Sequence, residues 1–132
     1  MYLRVLVFEN EKKDQQLFKK AMKAVGCDVK IIDKSTINPK KDPEHKEIAV
    51  FKPQLAIVDS KFESDIDGLD TVRYLNENFP GMPMVICSIL LDAPEKDKKE
   101  WIFNQYHGLP GVRGIIGKKP FPTGQQILDL CR

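Results

Sequence analysis

Four short stretches carry the side chains that could do chemistry. They are Glu9-Asn10-Glu11 in "VFENE", Asp59 closing "LAIVD", Ser88 in "MVICSI", and Lys118-Lys119-Pro120 in "GKKPFP". Each stands directly after an apolar run. A carboxylate delivered to the end of a buried run is costly unless it is paired, so Asp59 either caps a local turn or works with partners. Glu9, Asn10 and Asp59 would together offer hard oxygen ligands for a small divalent cation such as Mg²⁺, which takes one or two carboxylates plus waters. Ser88 can hydrogen-bond an oxygen placed on Asp59, and a lysine can neutralise its charge. Such a set suits phosphoryl transfer, where catalysis is mostly positioning and charge neutralisation around an in-line attack.

These residues share a site only if the elements before them lie side by side. "YLRVLVF" reads as a first strand, followed by a helix in "EKKDQQLFKKAMKAVG", with Leu17, Phe18, Ala21, Met22 and Val25 on one stripe and Gly26 as its stop. "DVKII" is a second strand, and a short amphipathic helix is expected around Ile48, Ala49 and Phe51. "QLAIV" is a third strand, before a helix in "GLDTVRYLNENFPG" that Pro80 and Gly81 end. "MPMVICSI" is a fourth strand. "LDAPEKDKKEWIFNQYHG" reads as a helix capped by Asp92, with Pro94 in its first turn and Ile102, Phe103 and Tyr106 before Gly108. "GVRGII" makes a fifth strand, and "TGQQILDLCR" starts a last helix.

Continuously apolar strands alternating with helices predict an α/β fold: a doubly wound, five-stranded parallel sheet with helices on both faces. In such sheets ligands bind outside the carboxyl ends of the strands, where the four stretches fall.

The 132 residues suit one domain over 1–132, and Lys+Arg 21 against Asp+Glu 19 leaves no basic field for nucleic acid. The first apolar run is too short for a signal core or a membrane span, so a cytoplasmic location is expected. Cys27, Cys87 and Cys131 are odd in number and lack metal spacing, which reads as core or near-core thiols. Glu63, Asp65, Asp67 and Asp70 lack the spacing of a calcium loop and read as a solvated loop and helix start. His45 and His107 read as surface histidines. Blander readings stand beside the sharp ones: Glu9 and Glu11 as first-turn helix charges, Ser88 as a turn hydroxyl, and Lys118 and Lys119 as surface charge.

Taken in order, "VLVFENE", "LAIVDS", "DIDGLDTVRYL", "MPMVICSI" and "KKPF" resemble the receiver domain of two-component response regulators over nearly the whole chain. The resemblance implies the flavodoxin-like fold. It implies Asp59 as phospho-acceptor from a sensor histidine kinase or phosphotransfer protein, and Glu9, Asn10 and Asp59 as the Mg²⁺ site. Ser88 would hold a phosphate oxygen, and Lys119, before a cis Pro120, would pair with the modified carboxylate; counting from Gly111 puts Lys118 there instead. It further implies a downstream output domain or protein and no turnover of an external substrate; Arg132 falls where a last helix would still be running, so an output domain after it and none at all both stand, as does a homodimer. Asn10 stands where an acid is expected, so weak Mg²⁺ binding follows. Ile89 is larger than the residue usual after the serine, and Ile115 or Ile116 replaces an aromatic. A pseudo-receiver that binds partners without being phosphorylated is the alternative. A flavodoxin-like enzyme or flavin carrier is opposed by "FENEKKD", which has no phosphate cradle.

Overall fold

The alternation of the strands decides the layers. In β1 (Arg4–Phe8) every residue from Val5 to Phe8 is buried, and the same holds for the whole of β3 (Leu55–Asp59) and β4 (Met84–Cys87). Successive side chains on a strand point to opposite faces, so strands buried throughout need cover on both sides. Leu6, Phe8, Ala56, Val58, Met84 and Ile86 pack into one core. It takes Ile48 from α2 (Pro43–Phe51), Val72 and Leu75 from α3 (Gly68–Asn78), and Ile102 and Tyr106 from α4 (Lys96–Tyr106). Val5, Val7, Leu55, Ile57, Val85 and Cys87 pack into the other, with Phe18 and Met22 from α1 (Lys12–Lys23) and Ile127 from α5 (Gly124–Leu130). Each fully buried aliphatic or aromatic side chain is worth about 1.5–3 kcal/mol of transfer free energy, which makes the two cores the main attractive force.

The computed structural model describes residues 3–132; Tyr2, expected at the start of the first strand, lies outside them. β2 (Asp28–Ile32) and β5 (Val112–Ile116) complete a parallel sheet of order β2-β1-β3-β4-β5. Val7 pairs with Ile31 and Ile57, and Asp59 with Cys87. This is the doubly wound, flavodoxin-like architecture. From β1 the chain winds outward to β2, returns, and continues from β3 the other way, so the switch in direction falls between the ends of β1 and β3.

One local feature differs from the sequence reading. After β4 the chain makes a 3₁₀ turn over Ile89–Asp92, and α4 begins only at Lys96, with Glu95 in the capping position. Asp92 is therefore not the cap of α4; its carboxylate is used elsewhere. Phe103 is 43% exposed, whereas Ile102 and Tyr106 are buried, because α4 turns a single narrow stripe inward. At the other end of the chain, Thr123 and Gln126 form a reciprocal capping box that starts α5.

One glycine brings a helix hard against the candidate site. A Cβ on Gly68 would lie 2.8 Å from the Asp59 carbonyl oxygen and 2.9 Å from Ser60 Cα, and would meet the Tyr106 hydroxyl. Only a residue without a side chain lets the first turn of α3 sit directly behind the end of β3.

Candidate functional site

Continuing the strand alternation past β1 and β3 turns Glu9 and Asp59 towards the side of Val7 and Ile57, which α1 and α5 cover. Both acids are buried, Glu9 completely. They meet at the switch point, where an open α/β sheet leaves a crevice. Glu9 is locked there: its Oε2 accepts from the Glu11 backbone N–H at 3.2 Å, and its carbonyl accepts from Gln15 Nε2 at 2.7 Å. Asp59 Oδ1 accepts from the Lys61 N–H at 3.3 Å, so it caps its own turn as well as facing the crevice.

Lys118 closes the group. Its Nζ donates to Glu9 Oε1 at 2.8 Å and to Asp14 Oδ2 at 2.9 Å, and stands 3.4 Å from Asp59 Oδ1. The expectation that Lys119 fills this place is corrected by the geometry. Lys119 is exposed, and among the described residues its recorded polar contact is a backbone one, from its N–H to Asp92 Oδ2 at 3.1 Å. The Lys119–Pro120 peptide is cis, and the lysine that enters the pocket is the one before it.

The loop carrying Lys118 is tied down from the neighbouring strand. Asp92 Oδ2 accepts from both consecutive N–H groups, Lys118 at 2.8 Å and Lys119 at 3.1 Å. A Cβ on Gly117 would fall on the Asp92 carboxylate, so glycine leaves the space that this contact uses. The loop after β4, which holds Ser88, and the loop after β5, which holds Lys118, are thus fastened to each other.

The electrostatics follow from burial and proximity. Burial, and then the neighbouring Glu9 carboxylate, push the Asp59 carboxyl up to about 7, against the pull of Lys118. Burial works against the Lys118 ammonium too, but Asp59, Glu9 and Asp14 outweigh it and hold that lysine above its ordinary value. Three carboxylates face one ammonium.

A cavity of about 340 Å³ opens onto this group, lined by Asn10, Glu11, Asp14, Asp59, Lys61, Phe62, Ile89 and Lys118. Of the residues expected as metal ligands, Asp59 and Asn10 share its wall, and Glu9 stands behind with both oxygens engaged. Among the described residues no three acidic, His or Cys side chains have metal-ligand spacing. A hydrated divalent cation, which needs only one or two carboxylates, would ask no more of this wall than Asp59 and Asn10 offer.

Ser88 is buried at the end of β4, but its Oγ accepts from the Leu90 N–H at 3.2 Å, and it does not line the cavity. Ile89 does, and is 47% exposed. Ile115 and Ile116 pack into opposite cores.

Sequence reasoning missed Asp14 and the true task of Asp92. Asp14 looks like an ordinary first-turn acid, and its partner lies 104 positions away; no local pattern announces it. The acids after β3 serve their loop. Asp67 accepts from the Glu63 and Ser64 N–H groups at 2.6 Å each, and the bonds from Ser64 lead in holding its carboxyl below the usual range. His45 is half-buried, with Nδ1 2.7 Å from the Tyr74 hydroxyl, so it is not a free surface histidine.

No family model matches the chain, and no curated protein matches it either. Solved structures do. A sensor protein from Polaromonas sp. JS666 superposes with a TM-score of 0.70 at 20% identity, over 98% of this chain and 94% of that one. The signal receiver domain of an HD domain-containing protein from Pseudomonas fluorescens Pf-5 gives 0.69 at 10% identity, over 100% and 93%. A response regulator receiver domain protein from Methanospirillum hungatei JF-1 gives 0.66 at 16% identity, over 98% and 90%. The fold is that of receiver domains.

Proposed function

We propose that the chain is a signal-transduction receiver module in which Asp59 accepts a phosphoryl group from a histidine kinase or phosphotransfer protein, and whose partner binding changes with that modification. The observation that carries the reading is a buried carboxylate at the switch point of a receiver fold, 3.4 Å from a buried ammonium and beside a second carboxylate. In the transfer an Asp59 oxygen attacks phosphorus, an O–P bond forms, and the P–N bond to the donor imidazole breaks. The leaving imidazole keeps the electron pair and takes up a proton. Lys118 offsets charge gathering on the transferred oxygens. Asn10 and Asp59 would hold a hydrated Mg²⁺ with Glu9 behind them, and that ion would supply further neutralisation of phosphate charge. The neutral amide at Asn10 and the occupied oxygens of Glu9 keep its affinity low.

The fold supports a module that is itself modified rather than one that turns over a substrate. Among the described residues no helix is long and apolar enough to cross a membrane. The experiment is labelling with a small acyl phosphate and Mg²⁺, followed by mass. The wild-type chain gains one phosphoryl group and Asp59→Asn gains none; labelling that survives the substitution refutes the reading.

A second reading, a pseudo-receiver that binds partners unmodified, is favoured by Ser88, whose Oγ accepts from the Leu90 N–H and which does not line the cavity. It predicts no labelling of the wild type and unchanged partner binding in Asp59→Asn.

A further inference from the structure

Asp14 lines the cavity and has no task in the transfer just described. Asp14 stands at the third position of α1, and its side chain is only 15% exposed. A first-turn aspartate ordinarily serves the N–H groups and dipole of its own helix. Asp14 instead sends Oδ2 across the crevice to Lys118 Nζ. An ammonium has three protons and no lone pair, and Lys118 meets three carboxylates, at 2.8 Å from Glu9, 2.9 Å from Asp14 and 3.4 Å from Asp59. The two short contacts come from the end of β1 and the start of α1. Neither involves the residue proposed to be modified.

We propose that Asp14 is a positioning residue: together with Glu9 it anchors the Lys118 ammonium in the cavity independently of Asp59. Its consequence rests on the phospho-acceptor reading. A lysine anchored from the α1 side stays beside Asp59 before and after an oxygen-rich group is added there. Its contact with Asp59 is the longest of the three, 3.4 Å to Oδ1, so the ammonium is held beside the nucleophile rather than on it. Without Asp14 the flexible lysine stem has Asp59 as its next acceptor, and the ammonium would move onto the oxygens that must react.

The anchor is read directly by NMR of the ammonium nitrogen in the metal-free chain, where a lysine held by several carboxylates gives a slowly exchanging resonance. Wild type shows it, and Lys118→Arg assigns it by removing it. It persists in Asp59→Asn, is lost in Asp14→Asn, and is kept in Asp14→Glu. Loss in Asp59→Asn, persistence in Asp14→Asn, or absence from the wild type overturns the proposal. Asp14→Ser, which keeps a first-turn oxygen for the helix, repeats the test should the Asn variant not fold. With an acyl phosphate, labelling slows about tenfold in Asp14→Asn and recovers in Asp14→Glu, as expected for one charged hydrogen bond. The resonance needs no phosphodonor, so a chain that never labels sinks the phospho-acceptor reading while the anchor stands or falls on its own signal.

Discussion

Raising the pH should loosen the metal-free protein through the Asp59 carboxyl. Its carboxyl, pushed from an ordinary 3.8 to about 7 by burial and Glu9, keeps its proton in the folded state over a range where the unfolded chain has lost it. Between those values the native state binds about one proton more than the unfolded state, so stability falls with rising pH at about 1.4 kcal/mol per unit. The contribution is fully present below pH 3.8, disappears as pH rises through about 7, and is flat above. Integrated over about three units it comes to about 4 kcal/mol.

Asp59→Asn supplies the comparison, because a neutral amide of the same shape has no proton to lose, and the difference between the two chains reports Asp59 together with the Glu9 and Lys118 groups that sense its charge. Urea unfolding of both at pH 5, 6, 7 and 8, without divalent cation, should show the variant gaining on the wild type by about 1.4 kcal/mol per unit up to pH 7 and no further. At about 3 °C per kcal/mol for a chain of this size, melting temperatures would part by several degrees. Parallel curves, with a difference independent of pH, would refute the argument: Asp59 would then be either well solvated or fully neutralised by Lys118.

Three further outcomes follow from the geometry. Lys118→Ala leaves Glu9, Asp14 and Asp59 without their shared cation and should cost about 3–5 kcal/mol, whereas Lys119→Ala should stay within about 0.5 kcal/mol, both by chemical denaturation; the reverse ranking would restore Lys119 to the pocket. Asn10→Asp adds a further carboxylate to the cavity wall, so it should lower the metal-free melting temperature and tighten Mg²⁺ binding about tenfold in a calorimetric titration; neither change occurring would mean that Asn10 and Asp59 do not act on one ion. Asp92→Ala should cost about 1–3 kcal/mol by removing the acceptor of two N–H groups, with Asp92→Asn recovering part of it, and an unperturbed Asp92→Ala would show that water replaces the carboxylate.

The fold was legible because its signal is repeated. Val5–Phe8, Leu55–Val58 and Met84–Cys87 are unbroken apolar runs, and such runs between amphipathic helices leave few arrangements other than a parallel sheet covered twice. The acids were legible for the same reason: Glu9 and Asp59 are each the residue at which a buried run turns polar, and strand ends of a parallel sheet converge. Lys118 was harder. Two adjacent lysines differ by one residue in register, and the bonds that fix the choice, from both backbone N–H groups to Asp92, span 26 and 27 positions.

The boundary between what could and could not be read is therefore physical. Apolar periodicity reports which face of an element is covered, and that is a property of a segment. Charge pairing reports which two segments meet at an atom, and no segment carries that alone. Asp14 shows the difference most plainly: its neighbours Lys12, Lys13 and Gln15 describe an ordinary polar helix start, yet its carboxylate belongs to a cluster assembled from β1, β3, α1 and the loop after β5. The same cluster explains why a neutral Asn10 is compatible with an acidic crevice. Asp14, four residues beyond Asn10, is a carboxylate on the same cavity wall that Lys118 already partners, so the wall stays acidic although Asn10 is neutral.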